Sequence, residues 1–191
     1  MRETPMLHGI DVSSHQPASY DTDGLAFVIV KATEARTYVN PKMEAQAECA
    51  RKAGLVVGFY HFLWPGDITE QAEYFTQKAP ARAGDLLACD WETTGGGTRA
   101  SDAEKDRFIR EVKSLRPRNR VLLYCNRSFW LDVDRTSYAG DGLWIAQYGV
   151  AEGEPEIRAK WVVHQYTDDP VDRNVARFDG ADALREWAEG A

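Results

Sequence analysis

Short runs of consecutive apolar residues alternate along this chain with longer stretches in which apolar residues return every three or four positions. That is the pattern of buried strands separated by amphipathic helices. Seven runs read as strands: residues 7–13 (LHGIDVS), 26–33 (AFVIVKAT), 56–63 (VVGFYHFL), 86–92 (LLACDWE), 120–126 (RVLLYCN), 143–148 (LWIAQY) and 161–167 (WVVHQYT). A short element near 172–178 can close the set. The second run is continuous and β-branched, as expected of a strand covered on both faces. Helices fill the gaps. Asn40 and Pro41 open one as N-cap and first residue, and Gly54 ends it. Residues 69–79 form another. Ser101 and Glu104 have capping-box spacing ahead of Phe108, Ile109, Val112 and Leu115, which share one face, and Pro117 stops that helix. A last helix over 181–188 puts Leu184 and Trp187 on its apolar side. Between the fifth and seventh strands the helical signal is weak, which predicts an irregular second half with fewer than eight helices.

Alternation of strand and helix implies an α/β fold with a parallel sheet. The chain has 191 residues, enough for one domain spanning 1–191. A regular (β/α) barrel usually takes about 250 residues, so seven or eight strands here predict a trimmed, irregular TIM-like barrel. A dinucleotide-binding sheet would carry a glycine fingerprint after its first strand. This chain has SSHQP there.

Composition narrows the function. The net charge is −7, which argues against nucleic acid and against electrostatic capture by an anionic membrane. No apolar run approaches the roughly 18 residues that span a bilayer. The opening MRETPMLHGI lacks the apolar core of a secretory signal, so the expectation is synthesis in a host cytoplasm, without a membrane anchor, and action elsewhere after release. Cys49, Cys89 and Cys125 are odd in number and widely spaced, and read as reduced packing residues.

Residues at the C-terminal ends of barrel strands face the active-site end, and there the polar residues gather. Asp11 lies near the end of the first strand, Tyr60 and His61 end the third, and Asp90 and Glu92 end the fourth. Tyr124 and Asn126 end the fifth, Tyr148 the sixth, Gln165 and Tyr166 the seventh, and Asp172 follows it. Asp90 and Glu92 are the sharpest pair. Side chains two apart on a strand share a face, so both carboxylates enter the barrel mouth, their Cα atoms about 6.5–7 Å apart. Two carboxylates so close in a partly dry site cannot both ionise freely, so one pKa rises and leaves a proton donor beside an anion. That division suits glycoside hydrolysis. Asp11, Asp90, Glu92 and Asp172 could also hold Mg²⁺ or Ca²⁺ through oxygen ligands. The four histidines lack zinc-hydrolase spacing. His61 and His164 either support neighbouring site residues or are simply satisfied barrel histidines. Six Trp and eight Tyr are many for this length. Trp64 and Trp144 are assigned to a sugar-stacking groove, Trp161 and Trp187 to the core.

The segments HGIDVSSHQ, GFYHFL, LACDWE, LWIAQYG and HQYT with its following D-x-N, in this order and spacing, resemble glycoside hydrolase family 25, the Chalaropsis-type lysozymes. The match runs from about His8 to Gly180. The resemblance implies a flattened, incomplete β/α barrel with an acidic groove, and cleavage of the β-1,4 bond between N-acetylmuramic acid and N-acetylglucosamine in bacterial peptidoglycan. It implies Glu92 as general acid and then base, and Asp90 orienting the substrate's own 2-acetamido group as that group attacks. Asp11 and Asp172 complete the acidic set. Tyr60, Trp64, Tyr124, Asn126, Trp144, Tyr148 and Gln165 are the expected substrate contacts, and no metal or cofactor is expected. The lack of an appended wall-binding module and of a signal fits a small phage endolysin whose affinity comes from the groove alone, although an acidic protein acting on an anionic wall is a puzzle. Three alternatives remain: a chitinase-like or endo-N-acetylglucosaminidase-like enzyme, a non-catalytic glycan-binding barrel and a metal-dependent hydrolase. The absence of a heptad repeat predicts a monomer.

Overall fold

The computed structural model describes residues 6–191. The signal-free reading of residues 1–10 therefore falls partly on residues 1–5, outside the described residues. Eight strands close into a barrel: β1 (Met6–Val12), β2 (Phe27–Glu34), β4 (Val56–Phe62), β5 (Leu86–Asp90), β6 (Val121–Asn126), β7 (Gly142–Ala146), β8 (Val163–Thr167) and β9 (Asp172–Arg177). The two-residue β3 (Tyr38–Val39) pairs antiparallel with the end of β2, outside the barrel. Pairing is parallel from β1 through β8, and β9 runs antiparallel between β8 and β1. Four α-helices are described: α1 (Met43–Lys52), α2 (Ile68–Lys78), α3 (Asp102–Leu115) and α4 (Ala181–Glu189). This is the expected trimmed barrel.

Period-two alternation sorts the strands' residues. Phe27 and Ile29, Leu86 and Ala88, Leu122 and Tyr124, Trp144 and Ala146 form one buried cluster, the barrel interior. Their neighbours Val28 and Val30, Leu87 and Cys89, Leu123 and Cys125, Leu143 and Ile145 form a second cluster, with helix residues such as Phe75, Phe108 and Ile109. The interior is tight near β1. A Cβ on Gly9 would lie 2.5 Å from the Phe27 ring, so a glycine at that position lets Phe27 fill the barrel. Leu184 and Ala188 of α4 belong to the interior cluster.

The capping box holds α3. Ser101 Oγ accepts from the Glu104 N–H, and the Glu104 carboxylate accepts from the Ser101 N–H. The buried face of α3 also carries Lys105. Its ammonium donates to Asp134 (2.9 Å) and to the Tyr138 carbonyl (2.8 Å), and lies 5.4 Å over the Trp91 ring.

Several boundaries differ from the sequence expectation. The helix expected from Asn40 begins at Met43, because the Asn40 side chain closes a preceding turn, accepting from the Lys42 N–H and donating to the Lys31 carbonyl. Leu115 is exposed, since it ends α3 beyond the strands that cover the rest of that face. Between β6 and β7 lies a π-helical turn (Phe129–Val133), and β7 to β8 is a long loop, so the second half is as irregular as expected.

Candidate active site

The parallel strands deliver their last inward residues to one end of the barrel, and a cavity of about 190 Å³ opens there. Its lining includes Asp11, Asp90, Glu92, Asp168 and Asp172 together with Tyr60, Tyr124, Trp144, Tyr148 and Gln165, and none of the lining side chains is a cation. Asp172 reaches this end because β9 runs backwards. The first residue of an antiparallel strand lies beside the last residues of its parallel neighbours, and Asp172 pairs with Asp11 in the β1–β9 register.

Asp90 ends β5 facing inward, and the chain then leaves the sheet. Trp91 turns outward. It is fully buried, donates its indole N–H to the Ala100 carbonyl at 2.8 Å and packs edge-on against Phe129. Locked in this way, Trp91 fixes the backbone on either side, and Glu92 returns to the cavity next to Asp90. Burial, and then the adjacent Glu92 carboxylate, raises the pKa of Asp90 well above the usual carboxylate range. Asp90 therefore keeps its proton to higher pH than an isolated carboxyl does, beside the Glu92 side chain. The sequence predicts one raised pKa here, and the structure puts it on Asp90. Asp90 Oδ1 is buried without a hydrogen-bond partner among the described residues.

Asp11 and Asp172 form a second pair. Burial, then the charge of Asp172, raises Asp11, and burial also raises Asp172. Asp11 Oδ2 accepts from Gln165 Nε2 at 2.7 Å and from Asn174 Nδ2 at 2.8 Å. Behind them the network continues. Tyr124 and Tyr148 both donate their hydroxyls to Gln165 Oε1, at 2.8 and 2.6 Å, and the Trp144 indole N–H donates to Asn174 Oδ1 at 2.7 Å. Burial, reinforced by the surrounding carboxylates, pushes the phenols of Tyr60 and Tyr124 well up, so both remain neutral hydroxyls.

A second cleft, of about 420 Å³, adjoins the cavity. Glu92, Tyr124 and Tyr148 line both, and Asn126, Arg127 and Ser128 line the second alone. The Asn126 side chain also accepts from the Phe129 N–H and the Ser128 hydroxyl, anchoring the π-helical turn.

Most of the site residues expected from sequence thus meet around one cavity and its neighbour. Trp64 does not. Its indole N–H donates to Glu34 at 2.9 Å and its ring lines a separate hollow with Tyr38. Trp144 lines the cavity but is almost wholly buried as its floor, edge-on to Tyr60 and Tyr124. Trp161 is buried, with the Arg177 guanidinium 4.1 Å from its ring centre, and Trp187 packs on Phe178. His61 is satisfied by Thr33 and Gln71 and stacked on Phe108, and burial lowers its pKa to about 4. His164 is held by Gly153 and Gln147. Two lining or supporting residues were given no role by the sequence reading, although Asn174 closes the D-x-N motif. Asn174 is two positions after Asp172 and so on the same strand face, a signal that alternation alone offers. Asp168 follows β8 directly. The four central acids stand as two adjacent pairs, and among the described residues no three His, Cys, Asp or Glu side chains take up a metal-binding arrangement.

Comparison with known proteins agrees with this geometry. The profile of the family described as Glycosyl hydrolases family 25 matches residues 10–175. An autolytic lysozyme of Clostridium acetobutylicum is 31% identical over 189 residues, covering 96% of this chain and 56% of its own. An N,O-diacetylmuramidase of Chalaropsis sp is 31% identical over 152 residues, covering 70% of this chain and 72% of its own. The solved structure of a muramidase from Acremonium alcalophilum superposes with a TM-score of 0.83 at 25% identity, covering 97% of this chain and all of that one. The chain spans about half the length of several curated relatives it matches, 56% of the clostridial enzyme and 53% of a lysozyme from Streptococcus phage Cp-9.

Proposed function

Since the chain belongs to glycosyl hydrolase family 25, we propose that it is an N-acetylmuramidase that hydrolyses the β-1,4 bond between N-acetylmuramic acid and N-acetylglucosamine in peptidoglycan. The observation that carries this reading is the place of Glu92. It stands next to Asp90, a buried carboxyl that burial keeps protonated to higher pH, and it lines both the acidic cavity and the adjoining cleft. A glycosidic oxygen joining a sugar in one to a sugar in the other would pass beside it. Glu92 gives its proton to that oxygen and then takes one from the incoming water. Asp90 Oδ1, buried and unpartnered, accepts from the N–H of the 2-acetamido group and turns the acetamido oxygen toward the anomeric carbon. Breaking the C–O bond leaves positive charge on the ring, and the Asp11–Asp172 pair, which lines the same cavity, stabilises it through the negative charge the pair retains. Tyr60, Tyr124, Tyr148 and Asn126 contact the sugars. Gln165, with all its polar atoms committed to Asp11 and two tyrosines, sets their positions. Trp144 forms the floor, and Trp64 meets glycan only beyond the cavity. The place of action is the bacterial wall, and no helix among the described residues is long and apolar enough to cross a membrane.

Digestion of purified peptidoglycan, followed by borohydride reduction and mass spectrometry, tests this. The wild type yields fragments ending in reduced muramic acid. Glu92→Gln, which keeps the shape and removes the proton, yields none while remaining folded, and Asp90→Asn loses activity by orders of magnitude. Fragments ending in reduced glucosamine would make it a glucosaminidase. Turnover by Glu92→Gln would end the assignment of that residue, and no soluble fragments from the wild type would end the enzymatic reading.

A further inference from the structure

The acidic cavity occupies one end of the barrel, and the other end carries a concave site that hydrolysis does not use. Two loops meet there, residues 79–85 leading into β5 and 116–120 leading into β6. Five residues of strand separate this end from Asp90, about 16 Å at the usual rise. Between the loops lies a cleft of about 580 Å³ lined by Arg82, Arg116, Arg118 and Asn119 with Ala and Leu side chains, and by no carboxylate. The frame is built. Arg116 donates to the Thr76 carbonyl and, at 3.4 Å, to that of Ala81. Asn119 donates to the carbonyls of Arg82 (2.7 Å) and Asp85 (2.9 Å), tying one loop to the other. The one acid in these loops, Asp85, is gripped by Arg51 through both oxygens, at 3.0 and 2.6 Å. Arg82 and Arg118 are exposed, and their guanidiniums have no hydrogen-bond or ion-pair partner among the described residues. Like-charged guanidiniums gathered around one hollow, in a chain of net charge −7, call for an anionic ligand.

We propose that this cleft binds a phosphate-bearing anionic polymer of the bacterial wall. The guanidinium fork matches the phosphate group, and three guanidiniums around one cleft, Arg116 held in place and Arg82 and Arg118 free to reach, match the successive charges of a polymer. Nucleic acid fits less well, because no aromatic ring lines the cleft to stack a base. The protein thus meets the wall through this arginine cleft, and its acidic mouth is free for the glycan. The wall as setting rests on the muramidase reading, but the binding itself needs no hydrolysis.

The test uses the full chain carrying Glu92→Gln and inorganic polyphosphate as probe, with affinity measured at several salt concentrations. Adding Arg82→Gln and Arg118→Gln weakens binding about tenfold or more and flattens the plot of log K against log salt by about 1.4, two contacts at single-strand values. The double variant in an otherwise wild-type background digests phosphate-free peptidoglycan at the wild-type rate, which shows that it is folded. Equal affinity with and without the two arginines overturns the proposal whatever the digestion shows. Tighter binding of a single-stranded oligonucleotide or of polyglutamate of equal charge overturns the choice of phosphate polymer. Failure of the wild type to digest peptidoglycan strikes the muramidase reading and leaves the binding comparison intact.

Discussion

Asp11 shows how the site trades stability for chemistry. Its protonated carboxyl faces Asp172 while its other oxygen accepts from Gln165 and Asn174. An amide can do the same, donating to Asp172 and accepting twice, so Asp11→Asn fits without rearrangement. An unfolded aspartate titrates near 3.9, and burial holds folded Asp11 well above that. The native state therefore binds more protons than the unfolded state in the interval between those values, and Asp11 destabilises the protein progressively as pH rises through it. Asp11→Asn is expected to melt above the wild type at pH 7, with the difference vanishing below about pH 3.9. Thermal melts across pH check this, and equal melting at both ends would remove the buried carboxyl as a cost. Asp11 and Asp90 were legible in the sequence because each sits at a strand end where period-two alternation fixes its direction; Glu92 and Asp172 were picked out as acids near strand ends, but the locked Trp91 and the reversed β9 are what bring them to the cavity. Trp64 was not legible, since its direction depends on a hydrogen bond to Glu34 on another strand. Asn174 was within reach of the same alternation rule.

Among the elements, α3 does more than cover β5. Its buried Lys105 joins the loop beginning at Asp134 to the Trp91 ring between Asp90 and Glu92. Asp106 and Asp134 are both buried against that ammonium. Lys105→Met leaves buried Asp134 without a cation and Asp106 with only Arg110, at 3.7 Å, and is expected to cost about 3–5 kcal/mol, measured by urea denaturation. A loss under about 1 kcal/mol would show the charges to be effectively solvated. The capping box, the apolar stripe of α3 and the β-branched strands were readable because each is a local pattern. The π-helical turn and the reversed direction of β9 were not. The turn depends on the Asn126 cap, and strand direction depends on closure by partners far away in the chain.

At the scale of the whole molecule, an acidic cavity opens at the mouth of the barrel and an arginine-lined cleft at its base. The large apolar side chains exposed among the described residues are Leu115, Leu131 and Tyr148. They lie on α3, the π-helical turn and the mouth, too dispersed for a sizeable apolar interface. Sedimentation equilibrium at micromolar concentration is expected to give the mass of one chain, and a dimer would contradict it. Closure of the barrel has one more consequence. Asp11 and Asp172 are neighbours only because the last strand inserts beside the first, so the acidic set is shared between the two extremities of the fold. As the polypeptide leaves the ribosome, Asp90 and Glu92 are made long before their distant companion. Until β9 is in place the acidic cavity of the nascent chain is incomplete, its assembly held back by the order of synthesis.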